Sequence, residues 1–344
     1  MEIGSEFQYE CDKKGMGIKF PSGVQDYTFT FCGRTAIETI INNEHHIKKV
    51  MMPSYCCASM LDPFQKAGIN ICFYPVEYHE MLQIMVDIPE DVDCLYWCNY
   101  FGFNIKMPNM QEFINRGGIV IEDITHSLFS RDIYNKQSCY LVASIRKWVP
   151  ILYGGYCASL RKKLINKPKK KPEYKILTIK EEAMIEKKEY LEGKNFSKEL
   201  FLEKYRCCNE WLSQNYMDCM IDTKSYSIIK HVDQEKHISQ RKKNASILYE
   251  GLKNNPDMTM IFDISDMECP LFVPVFVLNG KRDFFRKKLI ENDIYCPVHW
   301  PKPLESCKSN LYEAELSLVC DQRYDEEDMR RIIDVLNTDR KERK

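Results

Sequence analysis

The chain is organised around one pentapeptide, Ser144-Ile145-Arg146-Lys147-Trp148. It follows an apolar run at residues 139–143, which predicts a buried strand. A lysine at the end of a buried strand is unusual, because burial of an ammonium group is costly or forces the amine to become neutral. Two interpretations are open. Lys147 ends the strand in solvent, or it is an amine that forms a Schiff base.

A second strand end favours the Schiff base. Residues 119–126 form an apolar, β-branched run that closes with Asp123 and His126. Pyridoxal 5′-phosphate (PLP) requires a lysine that holds its aldehyde as an imine and a carboxylate that keeps its ring nitrogen protonated. We expect Lys147 and Asp123 in these two roles. His126 would lie near the phenolic oxygen, and Ser144 would reach the phosphate. Alone, an aspartate here is usually a cap or turn residue, so the prediction depends on the ordered set.

The start of the first predicted helix offers a phosphate site. Gly33, Arg34 and Thr35 precede a helical pattern at residues 36–41. Free backbone N–H groups and the helix dipole both favour an anion at a helix N-terminus. Arg34 and the Thr35 hydroxyl would add charge-assisted hydrogen bonds. Most such turns are ordinary helix starts, and the position of this one before the first predicted βαβ unit favours the phosphate site.

Alternating strands and helices predict an α/β fold with a mostly parallel central sheet flanked by helices. Ligands bind at the carboxyl ends of the strands in such sheets. Four candidate residues fall at predicted strand ends, namely Tyr55, Asn99, Asp123 and Lys147. This agreement is the main physical support for a single site.

The second half of the chain predicts a smaller α+β unit. A long helix is predicted over residues 226–252, and strands over 271–278 and 293–298 alternate with helices over 282–291 and 326–336. We therefore divide the chain into a large domain, residues 1–225, and a C-terminal domain, residues 226–344, with the long helix as the bridge. The first contains an N-terminal arm and a helical segment, 161–215.

The composition bounds the class of protein. The chain has 344 residues, enough for about two domains, and 44% of them are hydrophobic. Lys and Arg number 49 and Asp and Glu number 50, so no global field attracts nucleic acid or an anionic membrane. No apolar run approaches the ~18 residues that span a bilayer. We expect neither nucleic acid nor a membrane as a partner.

The sixteen cysteines suggest a reducing compartment. The first six residues carry neither a basic nor an apolar region typical of a signal peptide. Free, buried thiols in the cytoplasm are the simplest interpretation. The sequence contains no Cys-x-x-Cys pair, and the adjacent pairs Cys56-Cys57 and Cys207-Cys208 lack metal-ligand spacing. We therefore expect no metal site.

Residues 161–175 carry eight basic residues and one acidic residue. The simplest interpretation is a solvated loop. The alternative is a surface that attracts an anionic substrate, such as the diphosphate of a nucleotide sugar.

Taken together, the motifs resemble the fold-type-I PLP enzymes, and among them the DegT/DnrJ/EryC1/StrS sugar aminotransferases. The resemblance covers nearly the whole chain and depends on the order and spacing of its motifs. These are Gly33-Arg34-Thr35-Ala36, Met52-Pro53-Ser54-Tyr55, Asn99-Tyr100-Phe101-Gly102, Glu122-Asp123-Ile124-Thr125-His126, the pentapeptide, the helix with Arg241, residues 294–301 and residues 316–324.

The resemblance implies an activity and a set of partners. Lys147 would bond to PLP and shuttle the proton, and Asp123 would pair with the ring nitrogen. Glutamate or another amino acid would be the donor, and a keto substrate such as a nucleotide-linked keto sugar would be the acceptor, in a ping-pong scheme. His299 and Trp300 would border the substrate, although His299 is equally well explained as a turn residue before a proline. Members of this family are homodimers, so a homodimer is implied.

The chain departs from the family pattern at several points. The family places a stacking residue near Cys57, and Tyr55 is the candidate for that role here. The family's Gly-Glu-Gly-Gly after the lysine is Leu152-Tyr153-Gly154-Gly155. Its partner-subunit loop has no clear match. Two alternatives therefore stay open: another PLP-dependent reaction, such as that of a lyase, decarboxylase or dehydratase, and a non-catalytic regulator with the same fold.

Overall fold

A seven-stranded sheet forms the centre of the first half of the chain. The structure is a computed structural model, and it describes residues 2–10, 15–130, 134–194 and 197–338. The strands are β1 (Ile3–Gly4), β2 (Asp26–Thr30), β3 (Lys49–Pro53), β4 (Asn70–Tyr74), β5 (Val76–Tyr78), β6 (Leu82–Ile84), β7 (Cys94–Cys98), β8 (Ile119–Asp123), β9 (Tyr140–Ser144), β10 (Gly155–Ser159), β11 (Met258–Met260), β12 (Val273–Val277), β13 (Ile294–Tyr295) and β14 (Glu315–Leu318). The helices are α1 (Gly33–Ile41), α2 (Ala58–Lys66), α3 (Gln111–Asn115), α4 (Tyr174–Leu191), α5 (Lys198–Asn215), α6 (Thr223–Ile229), α7 (Gln234–Leu252), α8 (Arg282–Ile290), α9 (Leu311–Ala314) and α10 (Glu326–Asn337).

The strand order of the central sheet is β2-β10-β9-β8-β7-β3-β4. Neighbours from β9 to β4 are parallel, and β10 runs antiparallel to both β9 and β2. Strands covered on both faces read as continuous apolar runs, and all five residues of β7 are buried. The predicted α/β fold with a mostly parallel sheet is confirmed.

The register of the sheet brings the candidate residues to one edge. Cys98 at the end of β7 pairs with Asp123 at the end of β8, and Asp123 pairs with Val142 in β9. The start of α1 lies against the same edge, because a Cβ added at Gly33 would stand 3.5 Å from the Ser144 Cβ. The carboxyl ends of three strands and the N-terminus of one helix therefore face one cleft.

A small antiparallel sheet forms the predicted α+β unit of the second half. Its order is β11-β12-β14, and α10 packs against both α7 and α8. The N-terminal arm joins this half, since β1 pairs in parallel with β13 and the Tyr324 hydroxyl contacts Gly4. The boundary near residue 225 stays a prediction. Residues 339–344 of the proposed C-terminal domain lie outside the described part of the chain.

The prediction of one continuous helix over residues 226–252 is wrong. The structure has two helices, because aspartates cap two N-termini. The Asp222 side chain accepts a hydrogen bond from the Ser225 backbone N–H at the start of α6, and Asp233 accepts one from Lys236 at the start of α7. A strand break falls at Pro75, between β4 and β5, because proline has no N–H to continue the ladder.

The predicted helical segment 161–215 contains the helices α4 and α5, which pack against each other. Residues 195–196 between them lie outside the described part of the chain. Phe201 and Leu212 of α5 belong to the same apolar cluster as Phe31, just before α1. In the basic loop, Lys167 forms an ion pair with Asp26 at 2.7 Å. Within the described residues, no helix combines the length and apolar character needed to cross a membrane.

One glycine permits the close approach of β10 to the start of α1. A Cβ at Gly155 would stand 2.4 Å from the Cys32 backbone, so Gly155→Ala forces the two apart. We expect this variant to lower the free energy of unfolding by about 1–3 kcal/mol in urea denaturation. The neighbouring Gly154→Ala is the control. Its Cβ comes within 2.5 Å of the flexible Ile151 Cδ1, and its next contacts, with Ile145 and Ile221, are at 3.6 Å. Equal losses in the two variants would contradict this account.

Candidate active site

The cleft at the edge of the sheet gathers most of the predicted site residues. It lies between the ends of β8 and β9, the start of α1, and the loop after β13. Seven predicted residues line it, namely Gly33, Arg34, Asp123, His126, Ser144, Lys147 and Trp300. They come from four separate parts of the sequence, and the fold unites them.

Lys147 ends a short 3-10 helix, Ile145–Lys147, directly after β9. Its half-buried side chain places Nζ 3.2 Å from His126 Nε2 and 5.9 Å from the centroid of the Trp300 ring. Burial lowers the pKa of the Lys147 amine, and the charge of Arg146 adds to this, while Cys57 and Asp123 oppose it. The amine therefore has a larger neutral fraction than a lysine in water.

The hydrogen bonds of His126 also favour the neutral form of the Lys147 amine. Burial, together with Lys147 and His299, lowers the pKa of His126 well below its ordinary value, so this imidazole is neutral. The Phe101 backbone N–H donates to Nδ1 at 3.2 Å, which assigns the ring proton to Nε2. That N–H faces Lys147 Nζ, and only an uncharged amine has the lone pair to accept from it. His126 thus favours the nucleophilic form of Lys147.

Asp123 is held in one orientation at the end of β8. The Tyr96 hydroxyl donates to one of its carboxylate oxygens at 2.7 Å, and the Thr125 backbone N–H donates to the other at 2.8 Å. Thr125 also accepts a hydrogen bond from the Ser144 backbone N–H at 3.0 Å through its hydroxyl. Thr125 therefore sets the relative positions of the Asp123 and Ser144 strand ends.

The start of α1 has the properties of an anion site. Its N-cap residue, Cys32, makes no side-chain cap hydrogen bond, so the first N–H groups of the helix stay available. Arg34 lies beside them, and among the described residues no hydrogen-bond partner reaches its buried Nε. The nearest acid, Asp62, is 3.9 Å from that atom. An unpartnered guanidinium nitrogen, free N–H groups and Ser144 fit a phosphate.

The donor set as a whole fits PLP. An amine whose pKa is lowered lines the cleft with a carboxylate, and the anion site lies at the end nearest α1. The cofactor presents an aldehyde, a ring nitrogen that needs a carboxylate, and a phosphate, and each has a partner here.

Four predicted residues do not line this cleft. Thr35 is fully buried, and its hydroxyl donates to the Tyr216 carbonyl at 2.8 Å. Tyr55 is fully buried and packs on Trp300 and other aromatic rings. The Asn99 side chain donates to Glu122 at 2.8 Å and accepts from Trp97, behind the cleft. His299 lines a second cavity, which it shares with Lys147.

The structure adds cleft residues that the sequence analysis missed. Among them are Tyr96, Cys98, Thr125, Arg146, Cys57 and Leu212. Strand parity was a usable signal for the first two, because Tyr96 and Cys98 lie two residues apart on β7 and share a face. No local signal marks Leu212, because α5 brings it to the cleft from a distant part of the chain.

Solved structures resemble this chain in fold at low sequence identity. A Streptococcus pneumoniae protein assigned as a sugar aminotransferase, solved in its PLP form, is 11% identical, with a TM-score of 0.67, and the match covers 98% of each chain. A DegT DnrJ EryC1 StrS aminotransferase from Brucella abortus is 14% identical, with a TM-score of 0.61 over 92% of this chain and 86% of that one. Helicobacter pylori PseC, an aminotransferase involved in the biosynthesis of pseudoaminic acid, is 14% identical, with a TM-score of 0.60 over 92% and 87%.

No protein-family model and no curated protein matches the sequence. The resemblance drawn from the motifs is confirmed at the level of the fold: the protein has the fold-type-I architecture of the PLP-dependent sugar aminotransferases.

Proposed function

We propose that the protein is a PLP-dependent aminotransferase. It moves an amino group from an amino acid, with glutamate as the first candidate, to a keto substrate. We expect that acceptor to be a nucleotide-linked keto sugar, as the resemblance implies, and one structural neighbour was solved in the presence of its TDP-sugar product. The observation that carries the proposal is the half-buried Lys147 amine, which His126 contacts at 3.2 Å in one cleft with Asp123.

The residues of the chain divide the work of two half-reactions. When bound, PLP supplies an aldehyde that condenses with amines and a ring that withdraws electrons from the adjacent carbon. Asp123 would balance the positive charge of the ring nitrogen. Lys147 would take the proton from the donor Cα as a general base. The α1 N-terminus, Arg34 and Ser144 would hold the phosphate, and Trp300 covers the side of the cleft nearest Lys147.

Two further expectations belong to this proposal. The resemblance supports a homodimer. The described cysteines are all free thiols, which supports a reducing compartment such as the cytoplasm.

The first test is release of the oxo acid. Glutamate added to the PLP-loaded protein should release one 2-oxoglutarate per chain in a single half-reaction. Lys147→Ala should slow this release by about 100- to 10,000-fold, because it removes the general base. The control is Lys163→Ala, which changes an exposed lysine of the basic loop. If Lys147→Ala keeps the wild-type rate, the assignment of Lys147 is wrong. If no amino acid yields an oxo acid in the wild type, another PLP reaction or a regulator replaces the aminotransferase.

The second test separates the charge of Asp123 from its orientation. Asp123→Asn removes the charge that balances the ring nitrogen, so we expect oxo-acid release to slow by about 100-fold or more. Tyr96→Phe removes only one hydrogen bond to the same carboxylate, and the expected cost is about tenfold, on the order of 1 kcal/mol. PLP binding by both variants is followed by absorbance. An equal effect of the two changes would show that orientation, and not charge, is the contribution of Asp123.

A further inference from the structure

Three polar side chains are buried together behind Trp300. Glu315 and Ser317 on β14 are fully buried, and His299 in the loop after β13 is 7% exposed. The His299 backbone N–H donates to Glu315 Oε2 at 2.8 Å. Ser317 Oγ contacts Glu315 Oε1 on one side and His299 Nδ1, at 2.7 Å, on the other. The carboxyl, the hydroxyl and the imidazole therefore form one continuous chain of hydrogen bonds.

The direction of this chain follows from counting protons. An ionised Glu315 can only accept, so Ser317 must donate its single proton to Oε1. The Ser317 oxygen then accepts from His299, which places the imidazole proton on Nδ1. Burial lowers the pKa of His299 well below its ordinary value, so the ring is neutral and its Nε2 carries a lone pair.

A protonated Glu315 reverses the direction. The carboxyl proton is then donated to Ser317 Oγ, and the hydroxyl proton is donated to His299 Nδ1. The neutral imidazole must carry its proton on Nε2. The same three heavy-atom positions accommodate both arrangements, so the protonation state of Glu315 decides which nitrogen of His299 is a base.

The His299 ring stands at the reacting end of the site. His299 and Lys147 line a common cavity, and the His299 ring centroid lies 5.4 Å from that of His126. Among the described residues, none forms a hydrogen bond with His299 Nε2. This nitrogen is therefore available to a molecule that approaches Lys147 through this cavity.

We propose that Glu315 and Ser317 are positioning residues that set the tautomer of His299, so that an ionised Glu315 presents an unprotonated Nε2 to the cavity beside Lys147. The use of that lone pair rests on the proposed function. An amino acid arrives as an ammonium ion and must lose a proton before its nitrogen can form a bond to carbon. The ammonium N–H bond breaks and the Nε2–H bond forms, while the Nδ1 proton passes to Ser317 and the Ser317 proton passes to Glu315. The imidazole stays neutral, and the Glu315 proton later leaves to solvent.

The surroundings of Glu315 set the pH at which it ionises, and this pH lies within the range in which the protein can be studied. Burial raises the pKa of the Glu315 carboxyl to about 8, against the opposing effect of Ser317, the His299 backbone, Tyr55 and Arg282. Cys296 also faces this carboxyl, while Lys147 and His126 face His299 on the other side. Above pH 8 Glu315 is ionised and His299 Nε2 is a base. Below pH 8 Glu315 is protonated and His299 Nε2 carries the imidazole proton.

The test reads the tautomer of His299 by nitrogen NMR. PLP-loaded protein is labelled with ¹⁵N-histidine, and His299→Gln identifies the signals. In the wild type, the proton should move from Nε2 to Nδ1 as the pH rises through 8. Glu315→Gln should keep the proton on Nε2 at every pH, because its carboxamide oxygen accepts from the His299 backbone and its NH₂ donates to Ser317. Identical, pH-independent tautomers in the two proteins would overturn the proposal.

Two more variants guard the result. Glu313→Gln changes an exposed carboxylate two residues earlier and should behave as the wild type. Ser317→Ala interrupts the chain, so the tautomer should no longer respond to pH, and this variant decides the question if Glu315→Gln does not fold. A pH response that survives in Ser317→Ala would contradict the relay.

Turnover separates this inference from the proposed function. Oxo-acid release should rise with pH through 8 in the wild type, and Glu315→Gln should lose about 100-fold above pH 8 together with this dependence. If the His299 tautomer responds to pH but the protein releases no oxo acid, the relay is supported and the proposed function is wrong. If the protein transfers amino groups but the His299 tautomer never changes, only the relay is wrong.

Discussion

The contact between Lys147 Nζ and His126 Nε2, at 3.2 Å, is the interaction on which the site depends. The Phe101 N–H donates to the other ring nitrogen, Nδ1, so the imidazole proton is on Nε2 and points at the Lys147 amine. A lysine in water is protonated and does not act as a nucleophile at neutral pH. Here burial and a neutral imidazole donor both favour the uncharged amine, at a position where two strand ends and a helix N-terminus meet.

The C-terminal half holds this contact in place. Trp148, the residue after Lys147, donates through its indole N–H to the Thr125 carbonyl at 2.6 Å and lies under the Arg241 guanidinium, 4.7 Å from the ring centroid. The Trp148 carbonyl accepts from Gln322 at 2.9 Å, and Arg241 donates to Gln322 at 2.8 Å. The lysine turn is therefore bonded to β8 on one side and to the second half of the chain on the other. His299 lines a cavity with Lys147 from that half, and in the proposed relay an ionised Glu315 gives it the opposite hydrogen-bonding polarity to His126.

Much of the site was predictable because parallel strands end at a common edge. A lysine and an aspartate at two strand ends must lie near each other if the strands are neighbours, and β8 and β9 are.

Other features depend on packing between distant segments, which no local pattern reveals. Tyr55 follows a strand end, as a cleft residue would, yet its ring is buried against Trp300. Glu315 and Ser317 read as ordinary strand residues, and only the loop that carries His299 makes them part of a relay. Asp233 is a typical N-cap residue and could have indicated the break between α6 and α7, but the helical pattern on both sides predicted one continuous helix.

The most direct test of the account is the site of covalent attachment. The protein is loaded with PLP and treated with borohydride, which makes a bond between the cofactor and an amine permanent, and the labelled peptide is identified by mass spectrometry. The account predicts that the label lies on Lys147 and that the exposed lysines of the basic loop are unlabelled at stoichiometric cofactor. A label spread over surface lysines, or absent from Lys147, would contradict it.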